Sequence, residues 1–445
     1  MRVPGALRFD RAIGPVAFVA AASAVWLSQH LLAALLILAS GKPLVTDIGF
    51  WLLPPRRAAL VAGLSPGALA LVILAAFVAA AALAALTFRR ANRAGRGHLL
   101  AAFACVPVVQ LPALALAAML PRAAAPDPER MRRAANVTLG MVAGIALLVV
   151  PVLVSAIAFG VYGLTLFVAA PFTIGVVTGW LVNRDDDVPL GRTVRHAMTA
   201  TAFGTLAIVM FALEGLVCVA MAAPLGAGVA ALGAALGRGL ARRGRHREAR
   251  LMSVAILPLM IVLDLALPPA AMVRSRQSID IAAPPGAVWN AIVSDASVAP
   301  PSPLIVAAGI AYPIRSELHG RGVGAERIGH FSTGIARERV TAWVPGRTLA
   351  FDVLSRPPIM RELSPYRHVH APHLADYFAT RDTRFDLQPL TDGTTRLTIS
   401  ASHVLRIDPL PYWEPLARIA IRLNVGRVLR DIETKATEAS GRWAS

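Results

Sequence analysis

The feature that most limits this chain is a series of long apolar runs that stops near residue 271. From Leu251 to Ala270 nearly every residue is apolar, and about 20 such residues make one bilayer crossing. Seven earlier runs lie at 13–38, 58–88, 99–120, 138–159, 161–182, 199–222 and 224–240. In lipid a segment must satisfy its backbone polar groups internally, so each run is expected to be a helix. The first 271 residues are therefore expected to form an all-α multi-pass transmembrane bundle of seven or eight helices. Whole-chain composition agrees: only 16% of the 445 residues are charged and mean hydropathy is +0.60, where soluble chains carry about 25% charged residues.

Two runs are ambiguous in kind. The 99–120 run contains Pro107, Gln110 and Pro112, which suit either a crossing or a re-entrant hairpin. The 224–240 run is short and rich in glycine and alanine, as in a crossing packed closely against its neighbours. The basic N-terminus is followed by an apolar run too long for the core of a signal peptide, so it is expected to be the first membrane helix.

The net charge of +18 does not point to nucleic acid. The arginines gather in short loops between apolar runs, at 2–11, 89–96, 122–133, 184–195 and 238–250, and the only lysines are Lys42 and Lys435. Loop arginines of this kind mark the cytoplasmic face of a membrane protein. Seven crossings with a re-entrant 99–120, or eight with an outside N-terminus, both keep 238–250 inside. Both leave the C-terminal part outside, which places the protein in a bacterial inner membrane with a periplasmic domain. Cys105 and Cys218 lie in apolar runs, so neither a disulfide framework nor a cysteine zinc site is expected. Glu214 and Asp264 are the carboxylates within apolar runs. Such groups suit a proton relay or cation site, or a protonated acid bonded to a neighbouring helix, and the second reading is favoured here. Asp185, Asp186 and Asp187 read as a solvated turn.

After Val273 the pattern changes to alternation in twos. Strands are expected at 276–281, 314–318, 323–331, 336–344, 348–354, 383–389 and 395–405, with helices at 286–294 and 302–308. His319-Gly320-Arg321-Gly322, Pro345-Gly346-Arg347 and Thr391-Asp392-Gly393 supply turns. A final helix is expected from Tyr412 to Thr437, with Leu416, Ile419, Leu423, Val428 and Ile432 near helical spacing. The domains are thus a polytopic membrane part, 1–271, a soluble α+β part, 272–440, and a short tail, 441–445.

The order strand, two helices, antiparallel strands, long helix resembles the START-like helix-grip superfamily (SRPBCC), which includes polyketide cyclase-like proteins. Ile279 to Trp289, IDIAAPPGAVW, looks like its opening strand, proline turn and first helix, and Trp343 to Leu349 looks like its central hairpin. The resemblance implies an antiparallel sheet curved around the long C-terminal helix, with an apolar cavity between them. Phe331, Trp343, Leu349, Phe351, Phe385 and Leu397 are the expected ligand-lining residues, with ordinary core packing as the alternative for each. The implied partners are the membrane and a hydrophobic small molecule or lipid, with no cofactor and no nucleic acid.

The chain departs from short family members by a 355–379 insertion. Its stretch YRHVHAPHLADYF holds His368, His370, His373, Asp376 and Tyr377. His373, Asp376 and Tyr377 are candidate proton carriers, and the three histidines are weak metal candidates whose spacing fits no standard motif. The remaining reading is a structural flap. The leading functional expectation is membrane-tethered binding or transfer of a hydrophobic ligand. The alternatives are an enzyme acting on an apolar substrate through this loop, and a transporter or sensor with a regulatory domain.

Overall fold

A computed structural model describes residues 13–62, 64–91, 97–106, 108–121, 128–152, 154–155, 160–210, 214–243, 248–363, 377–391 and 393–441. These fall into two compact units: residues up to 155 with 164–263, and residues 160–163 with those from 264 onward.

The first unit is helical: α1 (Pro15–Ala39), α2 (Ile48–Leu52), α3 (Pro54–Ala62), α4 (Pro66–Ala91), α5 (Gly97–Ala104), α6 (Gln110–Met119), α7 (Pro128–Pro151), α8 (Ala170–Asn183), α9 (Leu190–Met210), α10 (Leu216–Arg243) and most of α11 (Glu248–Ala266). Among the described residues five helical segments are long and apolar enough to cross a membrane: Pro15–Ala39, Leu74–Ala91, Arg132–Pro151, Thr165–Asn183 and Leu216–Arg243. This is fewer than the seven or eight expected, for three local reasons. The 99–120 run is broken between α5 and α6 into two short helices. The sixth run begins earlier than its apolar core, since α9 takes in Arg192, Arg195 and His196. The apolar part of α11 among the described residues is only Ile256–Ala266. The 224–240 run is also not a helix of its own. It is the body of α10, which continues through Pro224. Proline is tolerated inside apolar helices, and here the chain turns instead at Glu214-Gly215.

Glycine fixes how α8 and α10 meet. Gly175 and Gly179 of α8, and Gly233 and Gly237 of α10, form two G-x-x-x-G pairs that face each other. A Cβ on Gly175 would collide with the Ala230 carbonyl, one on Gly179 with the Ala234 carbonyl, one on Gly233 with the Phe172 carbonyl and one on Gly237 with the Val176 carbonyl. The two backbones therefore touch directly, as small residues allow in lipid.

The three aspartates do more than solvate a turn. Between α8 and α9, Asp185 lies 3.9 Å from Arg132 of α7 and accepts a 2.8 Å bond from Asn136 Nδ2. Asp186 pairs with Arg133 at 2.7 Å, and Asp187 with Arg238 and Arg242 of α10 at 2.9 and 3.5 Å. One short acidic loop thus gathers the arginine-bearing ends of α7 and α10.

The second unit carries a seven-stranded antiparallel sheet, β1 (Ala271–Ile281), β2 (Pro313–His319), β3 (Glu326–Phe331), β4 (Gly334–Val344), β5 (Thr348–Ser355), β6 (Phe378–Pro389) and β7 (Thr395–Leu405), in the order β1-β7-β6-β5-β4-β3-β2. Helices α12 (Pro285–Val293) and α13 (Pro303–Ala307) connect β1 to β2, and the 32-residue α14 (Leu410–Gly441) closes the chain. The β4–β5 hairpin turns at Gly346, whose φ of +69° suits glycine. One face of the sheet packs on α12 and the C-terminal half of α14, burying Ile281, Val288, Trp289, Val340, Leu349, Phe351, Phe385, Leu397, Leu429 and Ile432. Only residues 267–270 separate α11 from β1.

Candidate functional site

The helix-facing side of the sheet is the candidate site, and strand alternation decides which side chains reach it. On β7, Leu397 and Ile399 are in the core against α14. Continuing in twos puts Ala401 and His403 on the same face. His403 is 5% exposed, far from the usual place for an imidazole. Its Nε2 lies 3.0 Å from Ser275 Oγ of β1, and its Nδ1 lies 3.1 Å from Thr380 Oγ1 of β6. Phe378 stacks on the ring at 5.1 Å. The β6–β7 register shifts between Thr380 and Asp382, and Thr380 pairs directly opposite His403.

Burial pushes the His403 pKa down to about 4, with the Arg418 guanidinium acting in the same direction and Asp382 opposing. The imidazole is therefore neutral at physiological pH, with one nitrogen donating and the other accepting. Two hydroxyls satisfy both nitrogens, since each is donor and acceptor. The result is an uncharged polar point at one end of an apolar surface.

A second polar point lies across the sheet. Glu338 of β4 is 4% exposed and accepts from Arg327 of β3, whose guanidinium carbon sits 4.5 Å from the Phe351 ring centroid. Burial raises the Glu338 pKa, and Arg327 opposes that rise. The aromatic face favours the cation and compensates part of its lost hydration.

Helix α14 is fastened over this face by polar contacts of its own. Asp431 Oδ1 accepts from the Ala299 N–H at 2.9 Å, and Asn424 Nδ2 donates to the Ala311 carbonyl at 3.1 Å. Arg427 donates to the carbonyls of Ala299 and Pro313. Arg418 Nη1 donates to the Arg274 carbonyl at 3.1 Å, next to Ser275.

Of the residues expected to line a ligand site, Leu349, Phe351, Phe385 and Leu397 are buried together in the core. Phe351 and Phe385 have ring centroids 6.1 Å apart. Trp343 is half-buried and meets Trp289 edge to face at 5.1 Å. Phe331 is half-buried at the end of β3 and lies outside that cluster. His368, His370, His373 and Asp376 lie outside the described residues. Tyr377 is described: its hydroxyl points to Met360 Sδ at 3.8 Å, and its carbonyl accepts from the Arg406 N–H at 2.6 Å. Among the described residues no group of three His, Cys, Asp or Glu is placed to hold a metal ion. Glu214 is buried at the turn between α9 and α10, not within a helix. Asp264 is buried near the end of α11 beside Gly163, where any Cβ would collide with its carboxylate.

No sequence motif marks Ser275, Thr380, His403, Arg327 or Glu338. His403 was within reach, because alternation that sends Leu397 inward sends residue 403 inward too. Ser275 and Thr380 fell outside the expected strands, which began at 276 and 383.

No family model matches the chain, and no curated protein matches it. Solved structures similar to part of it include protein NE0264 from Nitrosomonas europaea, at 12% identity, covering 38% of this chain and 97% of that one with a TM-score of 0.26. The Zhui aromatase/cyclase from Streptomyces sp. R1128 is similar at 17% identity, over 38% and 94%, with a TM-score of 0.25. Norcoclaurine synthase from Thalictrum flavum is similar at 11% identity, over 39% and 98%, with a TM-score of 0.26. The helix-grip arrangement of the second unit rests on its own strand order, β1-β7-β6-β5-β4-β3-β2, and on α14 packed along the face that this order creates.

Proposed function

We propose that the second unit binds a hydrophobic small molecule or lipid on the face gripped by α14, and that α11 tethers it to the membrane in which such ligands dissolve. The observation that supports this is the make-up of that face. It is an apolar face packed against α12 and α14, and it carries internally satisfied polar points, among them His403 with Ser275 and Thr380, and Glu338 with Arg327. Apolar walls with a few fixed polar groups are the usual form of a small-ligand site, the polar groups setting orientation. The four residues 267–270 span at most about 14 Å, so the domain stays within reach of the bilayer.

A hydrolytic use of Ser275 and His403 is disfavoured by the same geometry. The second ring nitrogen meets the Thr380 hydroxyl, not a carboxylate, and a pKa of about 4 makes the imidazole a poor base.

We propose the side of the membrane from the arginines. The ends of α7, α8, α9 and α10 nearest Asp185–Asp187 carry Arg132, Arg133, Arg184, Arg192 and Arg238. On this reading α11, which begins five residues after α10 ends, serves as a further crossing, and the chain after it emerges on the opposite side. By the positive-inside rule that side is extracytoplasmic.

The test is mass spectrometry of apolar molecules retained by the full-length protein after detergent extraction. We expect one dominant class of bound molecule, reduced at least several-fold by Ala401→Trp, which fills the face between Ile399 and His403. An identical set of retained lipids in the two proteins would rule the reading out.

A further inference from the structure

Away from the sheet, the first unit holds a small polar cavity. It lies where α1, the α2–α3 segment, α4 and the break between α5 and α6 meet, and Trp26, Gln29, Trp51, Arg57, Ala80 and Gln110 line it. Arg57 is 4% exposed and Gln29 7%. Among the described residues every side-chain hydrogen bond of Arg57 is made by Nη1, to the carbonyls of Phe50 at 2.7 Å and Trp51 at 3.3 Å and with His30 Nε2 at 2.9 Å. Its Nη2 and Nε, and the whole Gln29 amide, have no protein partner among the described residues, and no carboxylate pairs with Arg57 there.

His30 Nδ1 is 2.7 Å from the Trp26 carbonyl, and its Nε2 is 2.9 Å from both the Trp51 carbonyl and Arg57 Nη1. Whichever ring nitrogen carries the proton, the ring brings no negative charge. The cluster therefore holds the Arg57 charge and, among the described residues, no carboxylate that compensates it. A buried charge is costly unless it is paired, and buried polar groups without partners are uncommon. The backbone adds a second, independent sign. Val108, on the cavity wall, has a φ of +69°, a strained conformation for a β-branched residue of the sort that clusters at ligand sites. Broken helices at membrane depth are tolerated where they line a cavity, and the α5–α6 break does so here.

We propose that this cavity is a binding site for a single oxyanion group, a carboxylate or phosphate, held by Arg57 Nη2 and Nε and the Gln29 amide against the wall formed by Trp26 and Trp51. At about 20 Å³ the cavity takes such a group and not a whole amphiphile, so any acyl chain lies outside it. The shared chemistry is the oxyanion; its source is either a membrane amphiphile or a free anion. The site is independent of the ligand proposed for the second unit.

Trp26 and Trp51 stack at 5.9 Å and report on the cavity directly. The experiment is tryptophan fluorescence of the full-length protein in an uncharged detergent. It is titrated separately with oleate, dioleoyl phosphatidylglycerol, uncharged monoolein, sodium acetate and sodium phosphate. We expect a saturable change with an oxyanion and none with monoolein. Saturation by acetate or phosphate as tight as by oleate identifies a free anion as the ligand, and saturation by oleate or phosphatidylglycerol alone identifies a membrane amphiphile. Arg57→Gln should weaken the response at least tenfold, and Trp51→Phe, which keeps the carbonyl, should remove most of its amplitude. If Arg57→Gln is not monodisperse, Ala80→Leu fills the cavity without touching the Arg57 bonds and should give the same loss. No saturable response to any oxyanion, an equal response to monoolein, or unchanged affinity in these cavity variants would overturn the proposal.

Discussion

The contact between α8 and α10 and the contact between the sheet and α14 solve the same packing problem by opposite means. In the first, four glycines remove the side chains and the backbones meet, so that no Cβ fits at Gly175, Gly179, Gly233 or Gly237. In the second, Trp289, Trp343, Phe351 and Phe385 fill the space between elements that stay apart. On the proposed reading, with the first unit in a membrane and the second in water, the solvent accounts for the difference. In water, apolar area gains about 25 cal/mol per Å² on burial, so large side chains win. In lipid, leaving the solvent gains an apolar side chain little, and helices associate through close contact.

The comparison breaks most visibly at Gly233. Gly233→Leu should abolish the α8–α10 contact, because even a Cβ meets the Phe172 carbonyl. The neighbouring Leu232 is 68% exposed, and Leu232→Ala should leave the protein intact. Recovery of monodisperse protein in detergent reads both. Equal recovery of the two variants would mean that glycine contact does not hold this pair. In the second unit the direction reverses. Phe351→Ala removes bulk and should cost about 3–5 kcal/mol, seen as a lower denaturant midpoint for that unit.

Next in size is the buried pair. Glu338→Ala strands the Arg327 charge beside Phe351, and breaking such a pair costs about 3–5 kcal/mol. Replacing both partners, with Glu338→Met and Arg327→Leu, should recover most of the loss. If the double variant were as unstable as the single one, packing and not charge would be what the pair supplies.

These sites also show what the sequence disclosed. β7 runs over Thr395–Leu405 as alternation and turn residues predict, because a sheet with one covered face writes its period into the chain. The α9–α10 turn was misplaced because Pro224 reads as a break, while Glu214-Gly215, where the chain does turn, reads as part of an apolar run. Asp185–Asp187 read as solvent-facing because their partners, Arg132, Arg133 and Arg238, lie some 50 residues away in either direction. Long-range pairing has no local period. The hydroxyls that hold His403 come from two other strands, so their convergence needed the register as well as the pattern.

His403 gives the second unit a pH dependence. Its folded pKa of about 4 lies below the ordinary 6.5, so the unfolded chain binds the proton more readily. The stability tied to the neutral ring is complete above about pH 6.5 and is lost as pH falls toward 4. The full gap is worth about 3 kcal/mol. His403→Gln should flatten this part of the profile, as measured by the denaturant midpoint of the second unit between pH 7 and pH 4.5. An unchanged slope in the variant would assign the dependence to other groups.

The smallest expected effects come from surface ion pairs, one in each half. Asp280 and Arg396 pair at 2.7 Å on adjacent strands, with both side chains nearly half exposed. The hydrogen bond from Arg396, and after it the attraction of its charge, hold the Asp280 carboxyl below its usual range, yet water solvates the two groups almost as well when they are apart. Asp280→Asn should leave the denaturant midpoint unchanged within error. Asp187 is no less exposed, but it faces two arginines of α10 rather than one cross-strand partner. Asp187→Asn should therefore lower the thermal midpoint slightly at low ionic strength and not at high salt, since screening removes an interaction of this kind. A salt-insensitive loss at Asp187 would show that the acidic loop acts through geometry, through the bond from Arg238 Nε to the Val188 carbonyl, rather than through charge.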